Sequence, residues 1–355
     1  MALQATSITD IVNLTQHELG PGKMTEVATL VPQHVGWRKI MKQNRIMIRS
    51  GDDIRFNLMH THNDSARAVG VGADDVYNMP DLSTKGVVDW RHITSNYVLE
   101  HHIIDMNREP ARIVEYAKEQ QMGQLVAVAE KFEDRIWRVP AISDTTNFHG
   151  IPTYIVKSNT AVTTNNGFNG TVPSGYSLVA GLDPVSAALT AKWSNYATQY
   201  NSVTAADLVS KARRAAVYTH WVPPIDDKPV GDYNSGDNYG FYTNYNVIGA
   251  CEDIAVSQND NLGPDIASMD GKVLFRRTPL TQVFKLDDDT TNPLYGINWG
   301  VLKIVILSGW WGKTTRIDLL PGKHTCSAVH TDYSFNMITY DRRRHFVLAT
   351  DTTMP

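Results

Sequence analysis

Apolar residues recur at every second position over much of this chain and at every third or fourth over one long stretch. Residues 46–60, IMIRSGDDIRFNLMH, place Ile54, Phe56 and Leu58 on one side and Arg55 and Asn57 on the other, which is a strand signature. Residues 87–104, VVDWRHITSNYVLEHHII, are again β-branched and aromatic. Between them lies a segment rich in Gly, Asp and Asn that contains Pro80. The pattern predicts a long hairpin with a wide, irregular tip. A two-stranded ribbon has little stability by itself, so something must cover it.

The helical period belongs to residues 110–137, PARIVEYAKEQQMGQLVAVAEKFEDRIW. Ile113, Ala117, Gln121, Leu125, Val128, Phe132 and Ile136 step by three or four and form one stripe. Pro110 suits the first helical position and Pro140 ends the helix. At 1.5 Å per residue the helix is roughly 40 Å long. Gly123 near its middle is tolerated at about 1 kcal/mol.

The remaining segments read more locally. Residues 1–45 hold short apolar clusters (Ile8, Ile11, Val12, Leu14, then Val27, Leu30, Val31) split by Gly20-Pro21-Gly22 and Pro32. They cannot build a core and read as an arm lying on something else. Residues 159–177 are loop-like. Two helices are expected next: one over 183–200 led by Asp183-Pro184, and one capped by Thr204-Ala-Ala-Asp207 that carries Leu208, Val209, Ala212 and Ala216. A tyrosine-rich loop, DYNSGDNYGFYTNYNV, leads to short strands around 245–250 and 272–284. The tail from Thr314 to Asp351 alternates in pieces and reads as antiparallel strands. No repeat of 20–50 residues is visible.

The densest apolar run is NWGVLKIVILSGWW, residues 298–311. Val301, Lys303, Val305 and Leu307 share one strand face, and Leu302, Ile304 and Ile306 the other. Apolar residues on both faces predict a strand buried between two layers. Trp310 and Trp311 then point in opposite directions. One should pack inside, and the other should sit at a domain junction or a subunit contact.

Composition narrows the function classes. A length of 355 residues allows two or three compact units. A net charge of −4 argues against a protein that coats nucleic acid, because phosphate binding needs surfaces rich in Lys and Arg. Two distant cysteines, Cys251 and Cys326, offer neither a disulfide framework nor a thiolate zinc site. The N-terminus lacks a secretory pattern, and no apolar run reaches the roughly 20 residues that span a bilayer.

Four clusters contain residue types that could carry chemistry. His60 and His62 could meet His101 and His102 if the hairpin paired in register, but adjacent histidines on a strand face opposite ways. Hairpin surface histidines are the better reading. Gly312-Lys313-Thr314 resembles the end of a phosphate-binding loop, but Leu307 stands where that motif needs glycine. Asp287-Asp288-Asp289 lacks the spacing of a calcium loop and reads as a solvated turn. Asp341-Arg342-Arg343-Arg344-His345 fits either carboxylate or phosphate pairing at a neighbour, or a charged edge that blocks stray strand pairing; both readings stand. No nucleophile elbow or dinucleotide fingerprint appears.

The order of parts resembles the major capsid proteins of tailed bacteriophages, with the Hong Kong 97-type fold. DWRHITSNYVLEHHII followed by EPARIVEYAKEQQMGQLVAVAEKFEDRIW is similar to their extended loop running into the spine helix. LYGINWGVLKIVILSGWW and DYSFNMITYDRRRHFVLATD are similar to their closing segments. The resemblance implies an α+β fold with an N-terminal arm at 1–45, an extended loop at 46–108, a peripheral domain at 109–182 and 313–355, and an axial domain at 183–312. It implies a structural protein without catalysis or cofactor, forming hexamers and pentamers of an icosahedral shell around double-stranded DNA. Expected partners are other copies, a portal, a separate scaffolding protein and in some cases a cement protein. The DNA lies inside without sequence-specific binding. The expected place is the virion, assembled in the bacterial cytoplasm. Some members cross-link through Lys and Asn. Lys85 lies in the loop, but nothing points to its partner, so that chemistry is not carried over. Expected subunit contacts are Trp90, Arg91, Trp310, Trp311, Arg342, Arg343 and Arg344, since assembly interfaces favour aromatic residues and arginine. The alternatives are an encapsulin-like compartment shell and a metal-dependent enzyme built on the four histidines.

Overall fold

The computed structural model describes residues 29, 32–42, 45–63, 66–72, 74, 77, 79–106, 110–157, 166–220, 238–258, 273–317, 322–323, 325–351 and 354. The arm clusters from Ile8 to Val31, residues 159–165 of the loop, residues 232–237 of the tyrosine-rich segment and the side chains of Ile113 and Ala117 lie outside the described residues. In chain order the elements are helix α1 (Val35–Lys42), strands β1 (Ile46–Ile48), β2 (Asp53–Met59), β3 (Ser83–Asp89) and β4 (Arg91–Glu100), then helices α2 (His101–Met106), α3 (Pro110–Ile136) and α4 (Ile151–Tyr154). There follow β5 (Tyr196–Gln199), α5 (Ser210–Tyr218), β6 (Tyr239–Thr243), α6 (Tyr245–Gln258), β7 (Leu274–Phe275), β8 (Thr278–Gln282), β9 (Leu294–Asn298), β10 (Leu302–Ile317), β11 (Cys326–Thr339) and β12 (Phe346–Ala349).

Three sheets result. One has four strands in the order β1-β10-β11-β4, one has six in the order β5-β12-β9-β6-β8-β7, and β2 pairs with β3 alone. The fold is α+β, as expected. The predicted hairpin is real over Asp53↔Asp89 to Met59↔Ser83. Its flanks are not ribbon, however. β1 pairs with β10, and β4 pairs with β11 along ten residues. Trp90 stands where the chain leaves the ribbon for the sheet.

Within the run 298–311, Asn298 ends β9 of the six-stranded sheet, and Leu302 onward lies in the four-stranded sheet, between two cores. Leu302, Ile304 and Ile306 join the core under α3, with Phe132, Phe148 and Phe335. Val305 joins a second core with Ile54, Phe56, Leu58 and Trp193, so the base of the ribbon is covered by its own subunit. β10 continues unbroken to Ile317, so the expected domain boundary at 312/313 falls inside a strand. β12, expected in the peripheral domain, pairs with β5 and β9 in the six-stranded sheet. Sequence alternation identified these strands but carries no information on which sheet each joins.

The long helix spans Pro110–Ile136, as the stripe predicts. Its buried face is Gln124, Val128, Phe132 and Ile136, whereas Leu125 is exposed. The Gln124 amide donates to Ser95 O at 2.7 Å and accepts from Thr331 Oγ1 at 3.4 Å, which satisfies its burial. Near the helix end Glu133 is fully buried. Its carboxylate accepts from Gly36 N at 3.1 Å, Trp37 N at 2.9 Å and Trp137 Nε1 at 2.9 Å. It thus caps the first turn of α1, where free N–H groups favour an anion. A Cβ on Gly36 would lie 2.8 Å from Ile136 Cγ2, so glycine permits this close approach.

Two local expectations fail. Residues 183–195 form isolated turns rather than a helix. Leu189 and Trp193 face the ribbon core, Ala191 has φ 61°, and the chain then enters β5. Residues 245–250 are helix rather than strand. Asn244 Oδ1 accepts from Val247 N at 3.2 Å and Asp287 Oδ1 from Tyr245 N at 2.7 Å, a cap that the tyrosine-rich pattern hid. Half of the capping box at Thr204 is made: Thr204 Oγ1 accepts from Asp207 N at 3.2 Å, but the Asp207 carboxylate accepts from Asn201 N and Ser202 N rather than from Thr204 N; Leu208 and Ala212 are buried as expected.

Candidate functional site

Beyond its covered base, the ribbon carries apolar side chains that nothing among the described residues covers. Val71, Tyr77 and Met79 are almost completely exposed, at 111%, 93% and 100%. Met59, Val69 and Leu82 extend the same apolar character. Exposed apolar side chains gathered on one element are what a contact with another molecule would use. Leu125 and Met122, exposed on α3, add a second apolar stretch.

The expected contact residues divide into three groups. Trp310 and Trp311 are both partly buried and face opposite sides. Trp311 meets Tyr333 at 5.2 Å and Phe335 at 5.8 Å between ring centroids, and the Arg45 guanidinium lies 4.6 Å from its ring. Trp310 meets His92 at 5.6 Å, with Lys313 Nζ at 4.0 Å from its centroid. β10 is irregular on either side of Trp311: Ile306 pairs with Phe335, Trp311 with Tyr333 and Lys313 with Asp332, and Gly309 and Gly312 have φ 79° and 70°. Trp90 and Arg91 stand at the base of the ribbon, where Trp90 Nε1 donates to Gly51 O at 2.9 Å and Arg91 pairs with Asp89 at 3.4 Å.

The arginine run is different. Arg342 is fully buried, so it cannot be a surface contact. All five of its donors are used: Nε to Tyr154 O at 2.8 Å, Nη1 to Thr171 O at 2.7 Å and Trp193 O at 2.8 Å, and Nη2 to Gly170 O at 3.0 Å and Asn195 Oδ1 at 3.3 Å. Arg344 is also buried. Arg343 makes two bonds of 3.0 Å to the Asp341 carboxylate. The run forms the short turn that carries the chain from β11 in one sheet to β12 in the other. Burial pulls the Arg342 pKa down to about 9, which leaves the guanidinium charged at neutral pH.

His345 ends this junction and is fully buried. Its Nδ1 accepts from Asn298 N at 3.1 Å, which leaves Nε2 to carry the proton toward Thr339 Oγ1 at 3.1 Å. Burial, with Arg342 and Arg344 nearby, lowers its pKa to about 3; burial, with Arg91, lowers that of His149 to about 4. Both folded values lie below the ordinary 6.5. The unfolded chain therefore takes up protons first as pH falls. Stability is full above about pH 6.5 and declines toward pH 4, by up to roughly 1.4 kcal/mol per pH unit for each histidine. Hydrogen bonds from Asn147 and Thr146 hold the Asp144 carboxyl well below the usual range, so it remains charged over this window. Melting temperatures measured from pH 7 to 4.5 should fall steadily; a flat profile would contradict neutral buried histidines.

The other clusters do not assemble as chemistry. The backbone pairs His60 with Leu82 and His101 with Thr325, at the two ends of the β3–β4 segment. Among the described residues no group of three or more His, Cys, Asp or Glu side chains could hold a metal ion. Gly312-Lys313-Thr314 is strand. Asp287 caps α6, and Asp289 pairs with Lys157 and accepts from Thr291. No helix among the described residues is long and apolar enough to cross a membrane. Sequence reasoning missed Glu133 and Gln124, which occupy polar slots within a helical stripe, and the exposed tip, whose composition reads as an ordinary loop.

No family model and no curated protein matches the sequence. Solved structures do. The chain of the cyanophage A-1(L) capsid asymmetric unit aligns with a TM-score of 0.57 at 15% identity, covering 96% of this chain and 99% of that one. The asymmetric unit of the bacteriophage PhiM1 mature capsid aligns at 0.54 with 12% identity, covering 96% and 93%. The capsid of the native GTA particle aligns at 0.54 with 12% identity, covering 98% and 99%. The chain therefore has the fold of these phage capsid subunits, the Hong Kong 97-type fold expected from the sequence.

Proposed function

We propose that this protein is a major capsid protein, assembling through hexameric and pentameric capsomers into an icosahedral shell that encloses phage double-stranded DNA. The observation that carries this reading is the projecting ribbon. Its base is held in the subunit core by Ile54, Phe56 and Leu58, while Val71, Tyr77 and Met79 at its tip are bare. A fixed base and an uncovered apolar tip suit an element that reaches onto a neighbour. The shared capsid fold over nearly the whole chain supports the same reading.

In this reading the peripheral domain is α3 with the four-stranded sheet, and the axial domain is the six-stranded sheet with α5 and α6. Trp310, in the irregular stretch of β10, lies at a subunit contact, and Trp90 and Arg91 set the angle at which the ribbon leaves the body. Portal and scaffolding proteins are the further partners, the virion is the site, and no catalysis or cofactor is assigned.

Electron microscopy of the purified, concentrated protein should show closed shells. Replacing Tyr77 and Met79 with glutamate should suppress shells while leaving the melting temperature within about 1 °C, because exposed positions contribute little to subunit stability. Discrete small oligomers under all conditions, or shells indifferent to these substitutions, would count against the proposal.

A further inference from the structure

We propose that Arg276 and Arg277 of one copy dock on Asp287 and Asp288 of the next, linking the six-stranded sheets of neighbouring subunits in a ring. This rests on the shell reading above. Phe275 pairs with Thr278, so the two arginines are the whole turn between β7 and β8. Their φ angles are 48° and 66°. Consecutive left-handed residues in a two-residue hairpin are usually Asn-Gly, because a Cβ crowds the following carbonyl there. Two exposed arginines held in that conformation are a backbone outlier of the kind that points to use.

Their surroundings favour a protein partner over phosphate. β7 is the terminal strand of the sheet, and Leu274 on it is exposed. Beside the turn lies a cavity of about 370 Å³ between α5, α6 and the hairpin, lined by Leu208, Val247, Ile254 and Phe275 together with Arg213 and Arg276. A phosphate backbone needs cations alone, whereas guanidinium groups next to an apolar hollow have the composition of a protein interface. The chain itself supplies a complementary surface. β8 runs roughly 17 Å away from the arginine turn, and the short turn Phe284–Leu286 then leads to the acidic loop. Asp287 is fixed there by Tyr245 N at 2.7 Å and Gln282 Nε2 at 3.2 Å, and Asp288 beside it is exposed. A ring of rotated copies brings different patches of each copy together. The basic end of one sheet then meets the acidic end of the next.

Ring formation can be followed by sedimentation against concentration, and shells by electron microscopy. R276E/R277E should raise the concentration for half-assembly by about tenfold or more, as loss of a close interfacial charge pair does. R276N/R277G, which suits the turn, should melt no lower than the parent yet assemble as weakly. Adding D288R to R276E/R277E should restore assembly. Unchanged ring formation in both double variants would overturn the inference. So would shells that form normally but hold less DNA, because the partner would then be phosphate. Parent rings without shells, weakened by R276E/R277E, would sink the shell reading alone and leave this contact standing.

Discussion

Arg342→Met should destabilise the subunit by roughly 4 kcal/mol or more, a large share of the ordinary folding free energy. The reason is the number of groups left behind. Three buried backbone carbonyls, from Tyr154, Thr171 and Trp193, lose the Arg342 donor, and Gly170 O keeps only its bond from Asn195 N. Each buried acceptor without a partner costs about 1–3 kcal/mol. These carbonyls belong to segments far apart in sequence, so the guanidinium also fixes how the turn after β11 meets the segments at 154, 170–171 and 193–195. Arg342→Lys should recover only part of the loss, since one ammonium cannot replace a planar fork with five donors. Denaturant midpoints would measure both. A loss below about 1 kcal/mol for the Met variant would show that water or rearranged side chains satisfy the carbonyls.

Glu133→Gln should cost roughly 2–4 kcal/mol despite preserving shape. Both carboxylate oxygens accept N–H groups, two from the first turn of α1 and one from Trp137. An amide must turn an NH₂ toward one of these donors. The effect should be local first: hydrogen exchange at Gly36 and Trp37 should accelerate more than at Val305 or Met337 in the central sheet. α1 leads into β1 on the edge of that sheet, so releasing it should also weaken assembly in the proposed shell. Uniform exchange across these amides, or a loss within about 0.5 kcal/mol, would mean that the carboxylate does not anchor α1.

Legibility in the sequence followed the range of each signal. The spine helix, the ribbon over 53–59 and 83–89, and the tail strands were readable because periodicity is local. The opposed faces of Trp310 and Trp311 were readable because alternation along a strand is geometric. The helix expected at 183–200 was not formed, because the burial of Leu189 and Trp193 against the ribbon outweighs a weak capping signal. Leu125 and Gln124 exchanged roles because β4 and β11 offer Gln124 a carbonyl and a hydroxyl.

The sequence by itself determined the spine helix, the ribbon strands and the tail strands, that the apolar run 302–306 would be buried on both faces, and that a ribbon would need cover. Only the tertiary structure decided which sheet each strand joins, that the cover at the base comes from the same chain, and that Arg342 is a buried fastening rather than a charged edge. The physical reason is that periodicity records one side of a contact. The depth of a polar side chain is set by acceptors contributed from segments up to 188 residues away, and no local pattern encodes their arrival.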